Sequence, residues 1–284
     1  MYKAKTTIIR DVVLSENIFK KLGSFIQSEC GIKMPPGKRL MVQSRLMKRL
    51  RALEISSFEE YWAFIQSTEG KDEVINLINA VSTNKTDFFR EPDHFKYLID
   101  TVLPELIKNR PSEIREPFKF WSAGCSTGEE PYTLAMVLSD FAEKNKNFKF
   151  KILATDISTK VIEHGRIAIY SKERIDPIPM KMKQKYLLKS KDPANKVVRI
   201  IPELRSKVIF RRLNFLDNFR LKEKVEVIFC RNVVIYFDRD IQKKLVEKFY
   251  EQLVPGGFLF MGHSETINGL NTKFRTVAPT VYQK

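Results

Sequence analysis

Apolar residues recur at helical spacing through roughly the first 80 positions, and from residue 118 onward they arrive in short continuous runs separated by helical segments. Between Lys38 and Leu53, the residues Val42, Leu46, Leu50 and Leu53 fall on one stripe, which predicts an amphipathic helix with that side buried. Lys38, Arg45, Lys48, Arg49 and Arg51 fall on its other faces, so the helix is expected to offer a basic surface. Ser57 with Glu60 reads as a capping box opening a helix through Tyr61, Trp62 and Ile65, and a further helix covers about Asp72 to Ser82. Residues 1–82 are therefore read as a helical N-terminal domain.

A loop from Asn84 to Arg90 follows, and Pro111 and Pro117 bracket a connector, so 83–117 reads as a linker carrying that loop. The pattern then changes period. Phe118–Ala123 is a short apolar strand ending in Gly-rich sequence, Pro131–Glu143 a helix of about three turns, and Lys149–Ala154 a second strand ending at Asp156, with Ser158 capping the next helix. Strand–helix–strand alternation predicts an α/β domain over 118–284 with a parallel, doubly wound sheet. A basic stretch at about 171–210, with two prolines near Ile178 and an expected hairpin from Val197 to Phe210, reads as a small inserted subdomain. Val225–Cys230 is a further buried strand, Arg239–Leu253 a helix, Pro255-Gly256-Gly257 a turn, Phe258–Gly262 a strand, and Phe274–Tyr282 a final pair.

At 284 residues with 43% hydrophobic and 30% charged positions, the chain has the composition of a soluble globular protein with a full core. No apolar run approaches the roughly 18 residues of a membrane span, and the start, Met1 to Thr7, has no apolar stretch of signal-peptide length. Three dispersed cysteines, Cys30, Cys125 and Cys230, without zinc-ligand spacing point to a reducing cytoplasm. The net charge of +16 narrows the partners. Seven basic residues and no acid lie between Lys33 and Arg51, and thirteen basic residues face four acids between Ser171 and Arg212. Such patches attract an acidic macromolecule, whether nucleic acid, anionic membrane or acidic protein surface.

The candidate chemistry sits at element ends. Gly124-Cys125-Ser126-Thr127-Gly128 joins a strand to a helix, where small residues let the backbone approach a ligand and the helix start offers free N–H groups. It also matches G-x-S-x-G, the nucleophile elbow of α/β hydrolases, with Asp238 and His263 following in hydrolase order. Against that reading, the chain before Phe118 is helical, Glu129 and Glu130 would oppose an oxyanion, and Asp156 would have no role. Asp156 ends the second strand 28 residues after Gly128, about where a nucleotide-binding α/β fold places an acid for the ribose hydroxyls. The full G-x-G-x-x-G is missing and no pyrophosphate site is evident, so a cofactor with a ribose but no phosphate fits, namely S-adenosylmethionine. Glu129 and Glu130 either complement the helix dipole or hold an ammonium group. Asn232 and Tyr236 follow a strand at the edge where ligands bind; the three histidines show no mutual metal spacing, and no metal is expected. A basic nucleic-acid methyltransferase is the other reading of the charge, but Ser171–Arg205 carries only Tyr186 as an aromatic stacking position.

Four segments occur in fixed order: Asn84-Lys85-Thr86-Asp87-Phe88-Phe89-Arg90, Trp121 through Tyr132, Ala154-Thr155-Asp156, and Arg231 through Asp238. Together they resemble the CheR-type chemotaxis receptor methyltransferases over nearly the whole chain. The resemblance implies an all-α N-terminal domain followed by a class I S-adenosylmethionine-dependent methyltransferase sheet with an inserted small β-subdomain. It implies that Asn84, Thr86, Arg90, Glu130, Asp156, Asn214, Phe215, Arg231 and Asn232 line the cofactor pocket, with Arg90 and Tyr236 nearest the transferred methyl. Ser122 stands where an acid is usual in class I methyltransferases, a departure the family shares by moving the acid to the following helix start. The implied activity is transfer of methyl from S-adenosylmethionine to receptor glutamates, leaving S-adenosylhomocysteine. The implied partners are the acidic methylation helices of chemoreceptors, facing basic residues such as Arg45 and Arg49, and in some family members a receptor C-terminal tail peptide bound by the subdomain. No nucleic acid and no membrane insertion are expected, and nothing in the sequence demands more than a monomer.

Overall fold

The computed structural model of the protein describes residues 12–110, 116–192 and 194–284, so the expectations for the first residues and for Pro111 lie outside the described residues. The chain divides into two compact units between Thr83 and Asn84.

The first unit is built from α1 (Glu16–Cys30), α2 (Arg39–Leu53), α3 (Phe58–Gln66) and α4 (Lys71–Val81). Ser15 and Ser57 cap α1 and α3 by accepting from Ile18 N and Glu60 N, each cap contributing about 1 kcal/mol. Glu60 completes its half of the box by accepting from Ser56 N rather than from the cap residue. Val42, Leu46 and Leu50 of α2 are fully buried, as their spacing predicts. Two of its basic residues face inward, contrary to expectation. Arg45 Nη1 donates to the carbonyls of Ala80, Val81 and Ser82 at 3.2, 3.2 and 2.8 Å, satisfying the end of α4 that the helix itself cannot. Arg49 forms a fork on Glu73 at 2.8 and 2.6 Å, and Glu73 is buried and also accepts from the Tyr61 hydroxyl and the Asn76 amide. These arginines hold the helices together, because a buried carboxylate needs a paired cation more than a partner surface does. Lys48 and Arg51 remain exposed.

The second unit opens with α5 (Pro92–Tyr97) and α6 (Leu103–Asn109), then alternates β1 (Phe118–Ala123), α7 (Glu129–Lys144), β2 (Phe150–Asp156) and α8 (Thr159–Ile167). A small excursion follows: β3 (Ile169–Ser171), α9 (Met180–Tyr186), β4 (Leu187–Lys189), β5 (Val197–Ile200) and α10 (Pro202–Arg205). The chain then returns through β6 (Val208–Arg212), β7 (Val225–Cys230), α11 (Arg239–Gln252), β8 (Leu253–Met261), β9 (Arg275–Ala278) and β10 (Val281–Gln283). The main sheet has the order β6-β2-β1-β7-β8-β10-β9, parallel from β6 to β8 and antiparallel through the last two strands. The strands β1 and β7 are apolar along most of their length because both faces of the sheet are covered.

Two local expectations change. No hairpin joins Val197 to Phe210: β5 pairs antiparallel with β3 and β4 in a separate three-stranded sheet, whereas β6 pairs parallel with β2. Two adjacent apolar runs look like a hairpin in sequence, but only the partners in space decide which sheet each joins. Pro255-Gly256-Gly257 is not a turn between elements but a bulge inside β8, where the register jumps from Val225↔Leu253 to Val227↔Phe258. Gly256 takes φ +75 there, and its N–H donates to the carbonyl of Lys284. Among the described residues no helix is long and apolar enough to cross a membrane.

Candidate active site

The chain runs from β1 to β2 and β6 on one side of the sheet, then to β7 on the other, so β1 and β7 flank a topological switch point. Ligands of open α/β sheets bind at the carboxyl ends of the strands there. β1 turns through Gly124 at φ +85 and Gly128 at φ +101 into α7, which begins at Glu129, two residues earlier than the sequence predicts. A Cβ at Gly124 would lie 2.3 Å from Val233 Cγ2, and one at Gly128 would lie 2.7 Å from the Tyr170 hydroxyl oxygen. Glycine is thus required for both conformation and close approach.

Asp156 closes this loop at the end of β2. Its Oδ2 accepts from Ser126 N at 2.9 Å and its Oδ1 from Ser158 N at 3.0 Å. The residue is half-buried, and burial of its carboxyl pushes it above the ordinary value of 3.8. β6 ends beside it, with Leu213 N donating to the Asp156 carbonyl, so Asn214 and Phe215 follow immediately. Asn214 Oδ1 accepts from Leu216 N, and the Phe215 ring packs 5.8 Å from Phe249 and 6.4 Å from Trp121.

Glu130 and Arg231 bridge the ends of β1 and β7. Glu130 Oε1 accepts from the Ser122 hydroxyl and Oε2 from Arg231 Nε, both at 2.7 Å. The carboxylate missing at Ser122 is thus supplied from the helix start, and the serine hydroxyl anchors it. Glu129 points elsewhere: its Oε2 accepts from the Thr127 hydroxyl at 2.6 Å, and its Oε1 stands 3.2 Å from Arg174 Nη2. Burial pushes the Glu129 carboxyl up, and its Oε1 makes no hydrogen bond among the described residues.

The side chain of Arg231 is 3% exposed. Its Nη1 donates to the Arg90 carbonyl at 2.7 Å and lies 3.4 Å from both Glu91 Oε2 and His94 Nδ1. Its guanidinium also sits 5.0 Å from the centre of the Phe95 ring. Asn232, held at φ +60, accepts from Arg90 Nη2 at 2.6 Å and donates to Glu91 Oε1 at 3.1 Å. The loop from Asn84 to Arg90 is pinned from below: Ser126 Oγ donates to the Asn84 carbonyl, Phe88 is buried against Tyr170, and Phe89 N donates to Thr133 Oγ1. Thr86 is buried, and its carbonyl accepts from Arg174 Nη1 at 3.0 Å. Tyr236 ends a short helical turn, Val234–Tyr236, at the partly exposed rim of the same loop as Asn232.

The fold therefore gathers the expected residues along one strand edge and adds Glu91, Arg174 and Glu265, which the sequence does not single out. Glu91 sits between Arg90 and Pro92 with no periodic mark, and Arg174 is one of thirteen cations in its stretch. The hydrolase arrangement is absent: Ser126 Oγ is committed to Asn84, Asp238 caps α11 by accepting from Ile241 N, and His263 packs on His94. Glu91, His94 and His263 bring ligand-type atoms within 4.8 Å of one another, a grouping their sequence spacing does not suggest. A dication there would meet the Arg231 guanidinium, already 3.4 Å from two of the three. Burial, with the Arg231 charge, pushes His94 down to about 4, so it is neutral at neutral pH. A second concavity, lined by residues including Lys224, Tyr250 and Lys284, lies at the amino ends of the strands, away from Asp156.

The donor set suits S-adenosylmethionine: the Asp156 carboxylate at the end of β2, the Glu130 carboxylate at the start of α7, and a tightly turned glycine loop joining β1 to α7. Comparison with known proteins agrees. The CheR methyltransferase all-alpha domain matches residues 17–82, and the CheR methyltransferase SAM binding domain matches residues 84–283. A chemotaxis protein methyltransferase of Borreliella burgdorferi is 39% identical over 276 residues, 96% of each chain. Chemotaxis protein methyltransferase 2 of Pseudomonas aeruginosa is 38% identical over 253 residues, covering 89% of this chain and 87% of that one. The chemotaxis protein methyltransferase of Escherichia coli is 36% identical over 272 residues, covering 95% and 92%. The chain belongs to the CheR methyltransferase family and is an S-adenosylmethionine-dependent methyltransferase.

Proposed function

We propose that this enzyme methylates glutamate side-chain carboxylates of chemoreceptors, forming methyl esters in chemotactic adaptation. The observation that carries the reading is the Arg90–Asn232 pair, 2.6 Å apart at the carboxyl edge of the strands, beside the buried Arg231–Glu130 bridge. S-adenosylmethionine, when bound, supplies an electrophilic methyl carbon and leaves as S-adenosylhomocysteine once a receptor carboxylate has taken the methyl. Asp156 accepts the ribose hydroxyls, Glu130 faces the ammonium group, and Asn84, Thr86, Asn214, Phe215 and Asn232 complete the pocket wall. Glu130 is preferred over Glu129 because it spans β1 and β7, whereas Glu129 turns toward Arg174. A glutamate with a pKa of about 4.3 is already ionised at neutral pH, so the attacking oxygen needs alignment and no strong base.

Alignment is the task of Arg90, whose guanidinium orients the receptor carboxylate by charge-assisted hydrogen bonds, with Tyr236 closing the rim. Arg90→Ala is expected to lower kcat on the order of 10²-fold while cofactor affinity moves only a few-fold. Single-turnover rates alongside calorimetric binding would check this, and unchanged turnover would remove Arg90 from the role.

The acidic methylation helices of a receptor complement the exposed basic side of α2. Lys48→Glu with Arg51→Glu is expected to slow receptor methylation on the order of tenfold at low salt, with the difference shrinking as salt rises. Cofactor binding should be unchanged. Arg45 and Arg49 are unsuitable for this test, since both hold the helical unit together. The three-stranded sheet, with β3 and β4 as its edges, is the place for a receptor tail peptide. The enzyme is expected to act in the cytoplasm as a monomer.

The test of the function is transfer of labelled methyl from S-adenosylmethionine to receptor cytoplasmic fragments, with RNA offered in parallel, followed by mild alkali. Alkali-labile label on the receptor, released as methanol, is the expected result. Label on RNA instead would overturn the substrate.

A further inference from the structure

Glu265 is buried near the strand edge, 3% exposed, and no cation pairs with it among the described residues. Its partners are backbone N–H groups. Oε2 accepts from Asn232 N at 2.7 Å and from Gly262 N at 2.8 Å. Oε1 accepts from Val233 N and Val234 N at 2.8 Å and from Ile235 N at 3.3 Å. Four consecutive amides after β7 thus converge on one side chain. Such a concavity is the kind that binds an anion, and here the chain fills it with its own carboxylate. The arrangement depends on Asn232 at φ +60, a left-handed conformation that L residues adopt at a cost and that the converging N–H bonds repay.

A second residue locks the same turn. A Cβ on Gly262 would lie 2.7 Å from Asn232 Nδ2, 2.8 Å from Asn232 N and 2.9 Å from Glu265 Oε2. The end of β8 therefore comes as close to Asn232 as a backbone can, and carboxylate and glycine together fix where the Asn232 side chain emerges. That side chain meets both Arg90 and Glu91.

We propose that Glu265 is a positioning residue for methyl transfer: by clamping the amides of Asn232–Ile235 it holds Asn232, and through it Arg90, in register with the reacting carboxylate. The inference rests on the function proposed above. Both oxygens of Glu265 are taken by backbone amides, so it is assigned no contact with cofactor or substrate. It acts through the loop, in the way a displacement of about 1 Å away from the chemistry can cost on the order of 10²-fold in rate. A purely structural carboxylate would lower the melting temperature and leave kcat per folded molecule intact. A clamp of the kind described lowers kcat in protein that is still folded and still binds cofactor through Asp156 and Glu130.

The experiment compares the full-length protein with Glu265→Gln, Glu265→Asp and Gly262→Ala. Three quantities are measured: kcat on receptor fragments at saturating cofactor, the calorimetric Kd for S-adenosylmethionine, and hydrogen exchange of the 232–235 amides. The amide group of Gln would set a donor against N–H donors, so Glu265→Gln is expected to lose on the order of 10²-fold in kcat with Kd within a few-fold. Exchange at the four amides should accelerate, and Glu265→Asp, which keeps the charge on a shorter arm, should recover part of the rate. Should Glu265→Gln not fold, Gly262→Ala, which keeps the carboxylate group but crowds both it and Asn232, carries the comparison. Wild-type kcat in a folded Glu265→Gln or Gly262→Ala protein overturns the proposal. So does fast exchange of these amides in the wild type. A wild type that methylates no receptor carboxylate defeats the functional reading instead, while amide exchange still reads the clamp.

Discussion

Arg231→Ala is expected to destabilise the sheet-containing unit by about 3–5 kcal/mol, the cost of leaving buried carboxylates without their cation. Arg231 joins the end of β7 to the start of α7 through Glu130 and to the segment before α5 through the Arg90 carbonyl and Glu91. Removing it leaves the buried Glu130 Oε2 without its cation, with only the Ser122 hydroxyl on its other oxygen. For a unit of this size the melting temperature should fall on the order of 10 °C. The chain has two tryptophans, so a Trp62→Phe background makes Trp121, buried in the sheet unit, the sole fluorescence reporter. A shift below about 2 °C would mean that water reaches Glu130 and the bridge is worth little.

The same variant has a second signature. His94 is pushed down to about 4 by burial first and by the Arg231 charge second. In the fold this imidazole resists protonation, so its contribution to stability is present above the ordinary histidine value of 6.5 and is lost as pH falls toward 4. Without the guanidinium, His94 should titrate higher while remaining below 6.5, because burial persists. Its ring proton shifts in an NMR titration would report this.

Asp156→Ala is the other large effect, expected in affinity rather than stability. Two hydroxyl donors onto an ionised acceptor contribute about 1.5–3 kcal/mol each, so S-adenosylmethionine should bind at least on the order of 10²-fold more weakly. The substitution also frees the Ser126 and Ser158 amides, which loosens the glycine loop. The pH dependence follows from the raised carboxyl. Since burial lifts Asp156 above 3.8, its ionised form weakens the fold at neutral pH, and that penalty is relieved as pH falls through the raised value. Cofactor binding runs the other way, because the proposed ribose contact requires the carboxylate. Kd is therefore expected to rise as pH is lowered from neutrality toward the ordinary Asp value, without a matching loss of stability from this group. A Kd flat across that range would place the ribose elsewhere.

Much of this architecture is legible in the chain because it is local. Of the stripe Val42, Leu46, Leu50 and Leu53, the first three are buried and Leu53 is half-buried, and Phe118–Ala123 and Val225–Cys230 are strands at the expected residues. Caps at Ser57 and Ser158 mark helix starts because a side-chain oxygen need only reach an amide two or three residues on. The hairpin expected at Val197–Phe210 was illegible for the opposite reason: strand pairing is a choice among distant partners, and a short apolar run does not say which.

The sequence by itself determined the helical first part, the alternating second part, the glycine loop, the acid at the end of β2, and the family through its four ordered segments. Each depends on spacing within a few residues or on an unusual string of side chains. Only the tertiary structure decided that Arg45 and Arg49 are internal ties, that Glu130 and not Glu129 bridges β1 and β7, and that Glu265 holds the Asn232 turn. Those contacts span 24 to 101 residues of chain. An arginine or glutamate reads identically in sequence whether it meets water or a buried partner. What separates the cases is desolvation, which exists only once the chain has closed around the group.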